Sequence, residues 1–156
     1  MNENVLSQLI VKIPFISTSE AGEIEKLILE VEELPTKDND QAMARWSFVI
    51  SQLAWYTSQA GMALERKNNA KEELANKLRS EAYNVPAGQK APPGWAAEST
   101  VVSNPQHALI VEEITTLKYW HDYLCRIYSI AFAQKSLLEQ LANNKRAGMR
   151  LDQTQE

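Results

Sequence analysis

The sequence predicts an all-α protein: a long antiparallel helical hairpin with short N-terminal helices, assembling into a homo-oligomer. Apolar residues recur at three- and four-residue steps through two stretches of about 40 residues each, the period of a helix face. No strand pattern competes with them, and the prolines fall outside both stretches.

With 156 residues, 44% of them hydrophobic and 23% charged, the chain has the composition of one folded domain. No stretch approaches the roughly 18 uncharged apolar residues of a membrane helix. Even Val5 to Phe15 is interrupted by Ser7, Gln8, Lys12 and Pro14. That segment lacks a basic start and a small-residue cleavage site, so no signal peptide and no membrane contact are expected, and the expected location is the cytoplasm. A single cysteine, Cys125, excludes an internal disulfide and agrees with a reducing compartment.

The first region, 1–36, reads as short acidic helices. Leu6, Leu9, Ile10 and Ile13 mark one turn-repeat before Pro14. Ser17 and Glu20 form a capping-box pattern, and Ile24, Leu27, Ile28, Val31 and Leu34 trace one face up to Pro35. The opposite face carries Glu20, Glu23, Glu25, Glu30, Glu32 and Glu33 and is expected to lie in water.

Residues 37–150 form the predicted hairpin. From Asp38 or Asp40, either a fair cap, one helix is predicted over 38–84, with an apolar line through Ala42, Trp46, Val49, Leu53, Tyr56, Ala60 and Ala63 that resumes at Ala70, Leu74 and Leu78. Residues 85–104, with Pro86, Gly88, Pro92, Pro93 and Gly94, read as a loop around Trp95. Asn104 as cap and Pro105 at the first turn open a second long helix over 105–147, which Gly148 is expected to stop. Residues 151–156 read as a tail.

Two such helices form only a thin seam, and Trp46, Phe48, Trp55, Tyr56, Tyr119, Trp120, Tyr123, Tyr128 and Phe132 supply more aromatic surface than one seam hides. Self-association is the expected remedy, a compact monomeric bundle the alternative. The contacts are assigned to the last helix at Leu117, Trp120, Leu124, Ile127, Tyr128, Ala131 and Leu138.

Catalytic chemistry finds little support. His107 and His121 are the two histidines. His121 and Cys125 share a face at i and i+4, too few ligands for a metal, with Asp122 expected on another side. No Gly-rich phosphate loop, paired-cysteine motif or nucleophile elbow is present. No enzyme activity, metal or cofactor is expected.

Charge is the informative feature. Net charge is −4, yet residues 41–90 hold seven Lys or Arg against four Glu, whereas residues 1–40 hold three against nine acids. Arg66, Lys67, Lys71, Lys77 and Arg79 recur at helical spacing, followed by Lys90 and Trp95. Cations beside an aromatic suit a single nucleic-acid strand, neutralising phosphate and stacking on a base. The competing reading is a wet helix face salt-bridged through Glu72, Glu73 and Glu81.

Two places resemble the UvsY-type recombination mediators of phages. Lys77-Leu78-Arg79, with Tyr83 four residues on, resembles the family's Lys-x-Arg motif at the end of a long helix. Leu117-Lys118-Tyr119-Trp120, then Leu124 and Ala133-Gln134-Lys135-Ser136, is similar to the family's C-terminal helix in residue type and register. The likeness runs from about Ala60 to Gln140.

What the resemblance implies is a small helical protein that forms a ring, a hexamer or heptamer, binds single-stranded DNA through Lys77 and Arg79, and helps load a recombinase onto strands covered by single-strand-binding protein. Its site would be the host cytoplasm if the chain is phage-encoded. Readings from other classes are a helical scaffold or virion component without nucleic-acid affinity, and an acidic inhibitor that docks on a host protein through its N-terminal glutamates.

Overall fold

The computed structural model describes residues 17–33, 40–86 and 88–153. Among them are four α-helices and no strand: α1 (Thr18–Glu33), α2 (Asp40–Tyr83), α3 (Gly94–Ser103) and α4 (Pro105–Gln153). The all-α expectation holds. The helix expected over the first 13 residues lies outside the described residues, as does Asp38. No described helix is long and apolar enough to cross a membrane.

The chain divides into two compact units, one joining residues 1–59 to 121–156 and the other spanning Ala60–Trp120. In the first unit, α1 opens on the expected capping box. Ser17 Oγ accepts from the Glu20 N–H at 3.3 Å, and Glu20 Oε2 accepts from the Ser17 N–H at 2.8 Å and from its hydroxyl at 2.7 Å, satisfying two donors that a helix start leaves unpaired. The core comes from three helices: Ala21, Ile24, Leu27 and Ile28 of α1, Ala42, Trp46, Val49, Leu53 and Tyr56 of α2, and Leu124, Ala131 and Leu138 of α4 are buried. The α1 and α2 sets advance mainly by three and four residues and the α4 set by seven, two turns, so each helix turns one face inward.

Two polar links set the direction of α1 against α2. Tyr56 donates its hydroxyl to Glu23 Oε2 at 2.8 Å, and Arg45 forks onto the Glu30 carboxylate, with Nη2 to Oε2 at 2.6 Å. As position falls along α2 it rises along α1, so the two run antiparallel. Glu23 and Glu30 therefore serve as partners, where the sequence pattern had placed them on a plain solvated face. Arg45 also lies 4.8 Å from the Phe48 ring centroid, a cation over an aromatic face. The Trp46 indole N–H, fully buried, finds no acceptor among the described residues, a cost that the burial of its ring offsets.

In the second unit the core is thin: small residues from two helices, Ala60 and Ala75 of α2 and Ala97 and Val101 of α3, meet Leu117 and Trp120 of α4. Alanines at these points let backbones approach closely. The expected loop over 85–104 is corrected here, because its second half is α3. Prolines and glycines crowd into 86–94 and leave 95–103 free of both. Pro93, extended at φ −64° and ψ 151°, stands at the N-cap, and its carbonyl accepts from the Ala96 N–H at 2.9 Å. Ala97 and Val101, one turn apart, are the side chains α3 buries. The remaining connection turns where the Gln89 N–H bonds the Pro86 carbonyl at 3.1 Å with Gly88 at φ 94°, a left-handed conformation that glycine alone adopts freely.

Asn104 ends α3 and starts α4. Its N–H bonds the Val101 carbonyl at 3.2 Å, and its Oδ1 accepts from the N–H groups of Gln106 and His107 at 2.9 and 3.1 Å, with Pro105 in the first turn where no donor is needed. The other end is also corrected. Gly148 does not stop α4, which runs to Gln153, so a tail from residue 151 is not observed. One interior glycine costs about 1 kcal/mol of propensity, and Met149, Arg150 and Leu151 continue without a proline to enforce an end.

Core positions should respond accordingly. Leu53→Ala, at a site with no exposure, is expected to cost about 2–5 kcal/mol in urea denaturation, whereas Leu109→Ala, 61% exposed, should stay within about 0.5 kcal/mol. Equal costs would contradict the assignment of the inner face.

Burial, then the hydrogen bond to Glu23, pushes the Tyr56 phenol up from 10.0 to about 12. Because the folded value is the raised one, the stability this group contributes is complete below about pH 10 and is lost as pH climbs toward 12. Thermal melts of wild type and Tyr56→Phe across that interval should show the steeper decline in wild type; parallel declines would remove the assignment.

Candidate nucleic-acid interface

The cations singled out in the sequence all belong to the second unit, but they do not form one free basic surface. Arg66 is exposed, and Lys67 is half-buried with its ammonium on the Glu113 carboxylate of α4. Lys71 is half-buried on the wall of a cleft. Lys77 is open, its side chain 71% exposed and 3.9 Å from Glu81 one turn on. Lys90 is exposed in the connection before α3.

Arg79 is the most constrained. Its Nε donates to Glu98 Oε1 at 2.6 Å, Nη2 to Oε2 at 3.3 Å, and Nη1 to Asn76 Oδ1 at 3.0 Å. The hydrogen bond from Arg79 holds the Glu98 carboxyl below the usual carboxylate value, and the same bond raises Arg79 above its own, so both groups stay charged as pH falls to the ordinary carboxylate range. Burial of Ala97 and Val101, on either side of Glu98 in sequence, seats α3 so that this carboxylate meets the guanidinium.

This pairing changes the electrostatics that the sequence implied. The window 41–90 carries an excess of three positive charges, but Ala60–Trp120 as a folded unit holds seven Lys or Arg and seven Glu. Glu98, Glu112 and Glu113, returned by α3 and α4, supply the difference. Partners 19 and 46 residues downstream leave no local signal in the sequence.

Trp95 stands in the first turn of α3, 76% exposed. The ring of Tyr83, last residue of α2 and 46% exposed, lies against the start of α3, where a methyl group built on Gly94 would touch the Tyr83 hydroxyl at 3.7 Å. Two open aromatic side chains thus stand where α2 ends and α3 begins, Tyr83 six residues beyond Lys77. A cleft of about 480 Å³ is lined by the polar side chains of Lys71, Glu72, Arg79, Glu98 and His107 and by Val101 and Val111.

The subunit-contact assignment needs correction. Leu117, Trp120, Leu124, Ala131 and Leu138 are buried by the chain's own helices, and Ile127 and Tyr128 are half-buried. Periodicity identifies an apolar face without saying whose surface covers it. Among the described residues, the large apolar side chains that α4 leaves open are Leu109 and Val111 near its start and Tyr119, Ile130, Phe132, Leu137 and Leu141 further on.

His121, Asp122 and Cys125 lie closer than their spacing alone implied. The Asp122 carboxylate is 3.4 Å from His121 Nδ1, and Cys125 Sγ is 3.7 Å from Nε2. Among the described residues no cluster of three or more such groups is disposed to hold a metal.

Comparison with known proteins finds no matching family model, no matching curated protein and no matching solved structure.

Proposed function

We propose that this chain is a non-enzymatic recombination mediator of the UvsY type, which binds single-stranded DNA and helps load a recombinase onto strands covered by single-strand-binding protein. The observation that carries the reading is the pair of exposed rings, Trp95 and Tyr83, at the junction of α2 and α3, with the exposed side chain of Lys77 six residues before Tyr83 on α2. Aromatic faces accept any base, and a nearby cation neutralises the phosphate that connects two of them, the combination that unpaired strands require. Arg66, Lys71 and Lys90 extend the positive field. The Lys77-Leu78-Arg79 resemblance implies the same role for Lys77, together with Arg79.

A unit with equal numbers of opposite charges binds weakly alone, so the reading includes a homo-oligomer, a ring of six or seven subunits, that repeats the contact and gains avidity. Ile130, Leu137 and Leu141 share one open face of α4 by their spacing of seven and four and are suited to subunit contact. A helical scaffold or virion component is the second reading, favoured by the pairing of Lys67 and Arg79 with glutamates. It forms the oligomer and ignores nucleic acid.

Fluorescence anisotropy with an oligo-dT and a duplex of equal length separates the two. Wild type should prefer the single strand, with affinity falling steeply as salt is added. Trp95→Ala should weaken binding by roughly tenfold or more, the worth of one stacked base, and Lys77→Glu should weaken it and flatten the salt dependence. Absence of single-strand binding in dilute buffer, or both variants binding like wild type, would overturn the reading.

A further inference from the structure

Arg79 poses a problem for the proposed function, because the guanidinium expected to meet phosphate already holds a carboxylate. The geometry resolves it. Glu98 presents two oxygens to two N–H groups of Arg79, at 2.6 and 3.3 Å, the arrangement in which a guanidinium also grips two oxygens of a phosphodiester. Resting on that function, we propose that Glu98 is a built-in stand-in for the strand's backbone phosphate: it occupies Arg79 in the free protein, and an incoming phosphodiester displaces it and so loosens α3 from the end of α2.

Three features fit a displaceable contact. The pair is open to water, with side-chain exposures of 40% for Arg79 and 55% for Glu98, and exposed ion pairs are weakly held. Asn76 Oδ1 retains its bond to Nη1, so the guanidinium keeps its aim when the carboxylate leaves. The vacated position lies on the wall of the cleft, where Lys71 and His107 are further groups able to meet an anion and Glu72 is the one remaining carboxylate. Trp95 rides on α3, so loosening that helix also moves the ring that stacks, which couples phosphate capture to base capture.

The mechanism makes Glu98 an inhibitor of binding, whereas an ordinary structural ion pair would make it a support. Glu98→Gln should therefore tighten oligo-dT binding by about three- to fivefold, the worth of an exposed pair. Glu112→Gln removes the same charge from the same unit at an exposed position of α4 outside the Arg79 pair, and should change affinity less than twofold. The gain from Glu98→Gln should vanish in an Arg79→Gln background, as coupled sites require. Hydrogen exchange of wild type should rise across residues 94–103 when oligo-dT is added, and circular dichroism of Glu98→Gln should match wild type.

Wild-type binding with no gain in Glu98→Gln, a gain equalled by Glu112→Gln, or a loss of affinity would overturn the displacement while leaving single-strand binding intact. No binding by wild type or by Glu98→Gln would overturn both.

Discussion

Two helices laid side by side have a single seam, and side chains just outside it stay wet unless a third element covers them. In this chain each unit acquires such an element. Residues of α1 join α2 and α4 around Trp46, Leu53 and Leu124 in the first unit, and α3 contributes Ala97 and Val101 beside Ala75, Leu117 and Trp120 in the second. The two third helices differ in grip. α1 buries four apolar side chains and adds links from Glu23 and Glu30, whereas α3 buries two small ones and adds one exposed ion pair through Glu98. Stability that rests on so few contacts is local and easily opened, the condition for an element that moves on binding.

The same difference explains what was legible in the sequence. Ser17 with Glu20, and Asn104 with Pro105, are short-range signals, and the helix starts they mark are where the pattern placed them. The run Ala42, Trp46, Val49, Leu53, Tyr56, Ala60 is buried throughout because its repeat is long enough for one face to be unambiguous. α3 was hidden because ten residues with two buried side chains carry almost no periodicity, and the prolines that begin it resemble the prolines of a loop. Gly148 misled in the opposite sense: a glycine ends a helix only when the chain leaves the helical basin there.

Charge was the least legible property, for a physical reason. A count along the chain sums neighbours in sequence, but a carboxylate neutralises whichever cation lies within a few ångströms. Glu98 and Glu113 reach Arg79 and Lys67 only because the chain turns back after Tyr83. Five of the α4 positions assigned to subunit contact, Leu117, Trp120, Leu124, Ala131 and Leu138, were misread for a parallel reason: their apolar stripe was visible, but the chain's own helices already cover it.

On the proposed function, a binding unit without net charge is better suited to its task than a strongly basic one. A protein that must pass a strand to a recombinase gains nothing from a contact it cannot release. Lysine and arginine side chains already held by carboxylates bind phosphate by exchange, so each contact gains little and reverses readily, and total affinity comes from repetition around the oligomer. Charge exchange also favours order over indiscriminate attraction: a long strand that engages several subunits displaces several carboxylates together, while a short or folded nucleic acid reaching one subunit displaces one and leaves. Selectivity for extended single strands then follows from the spacing of weak sites rather than from the strength of any one of them.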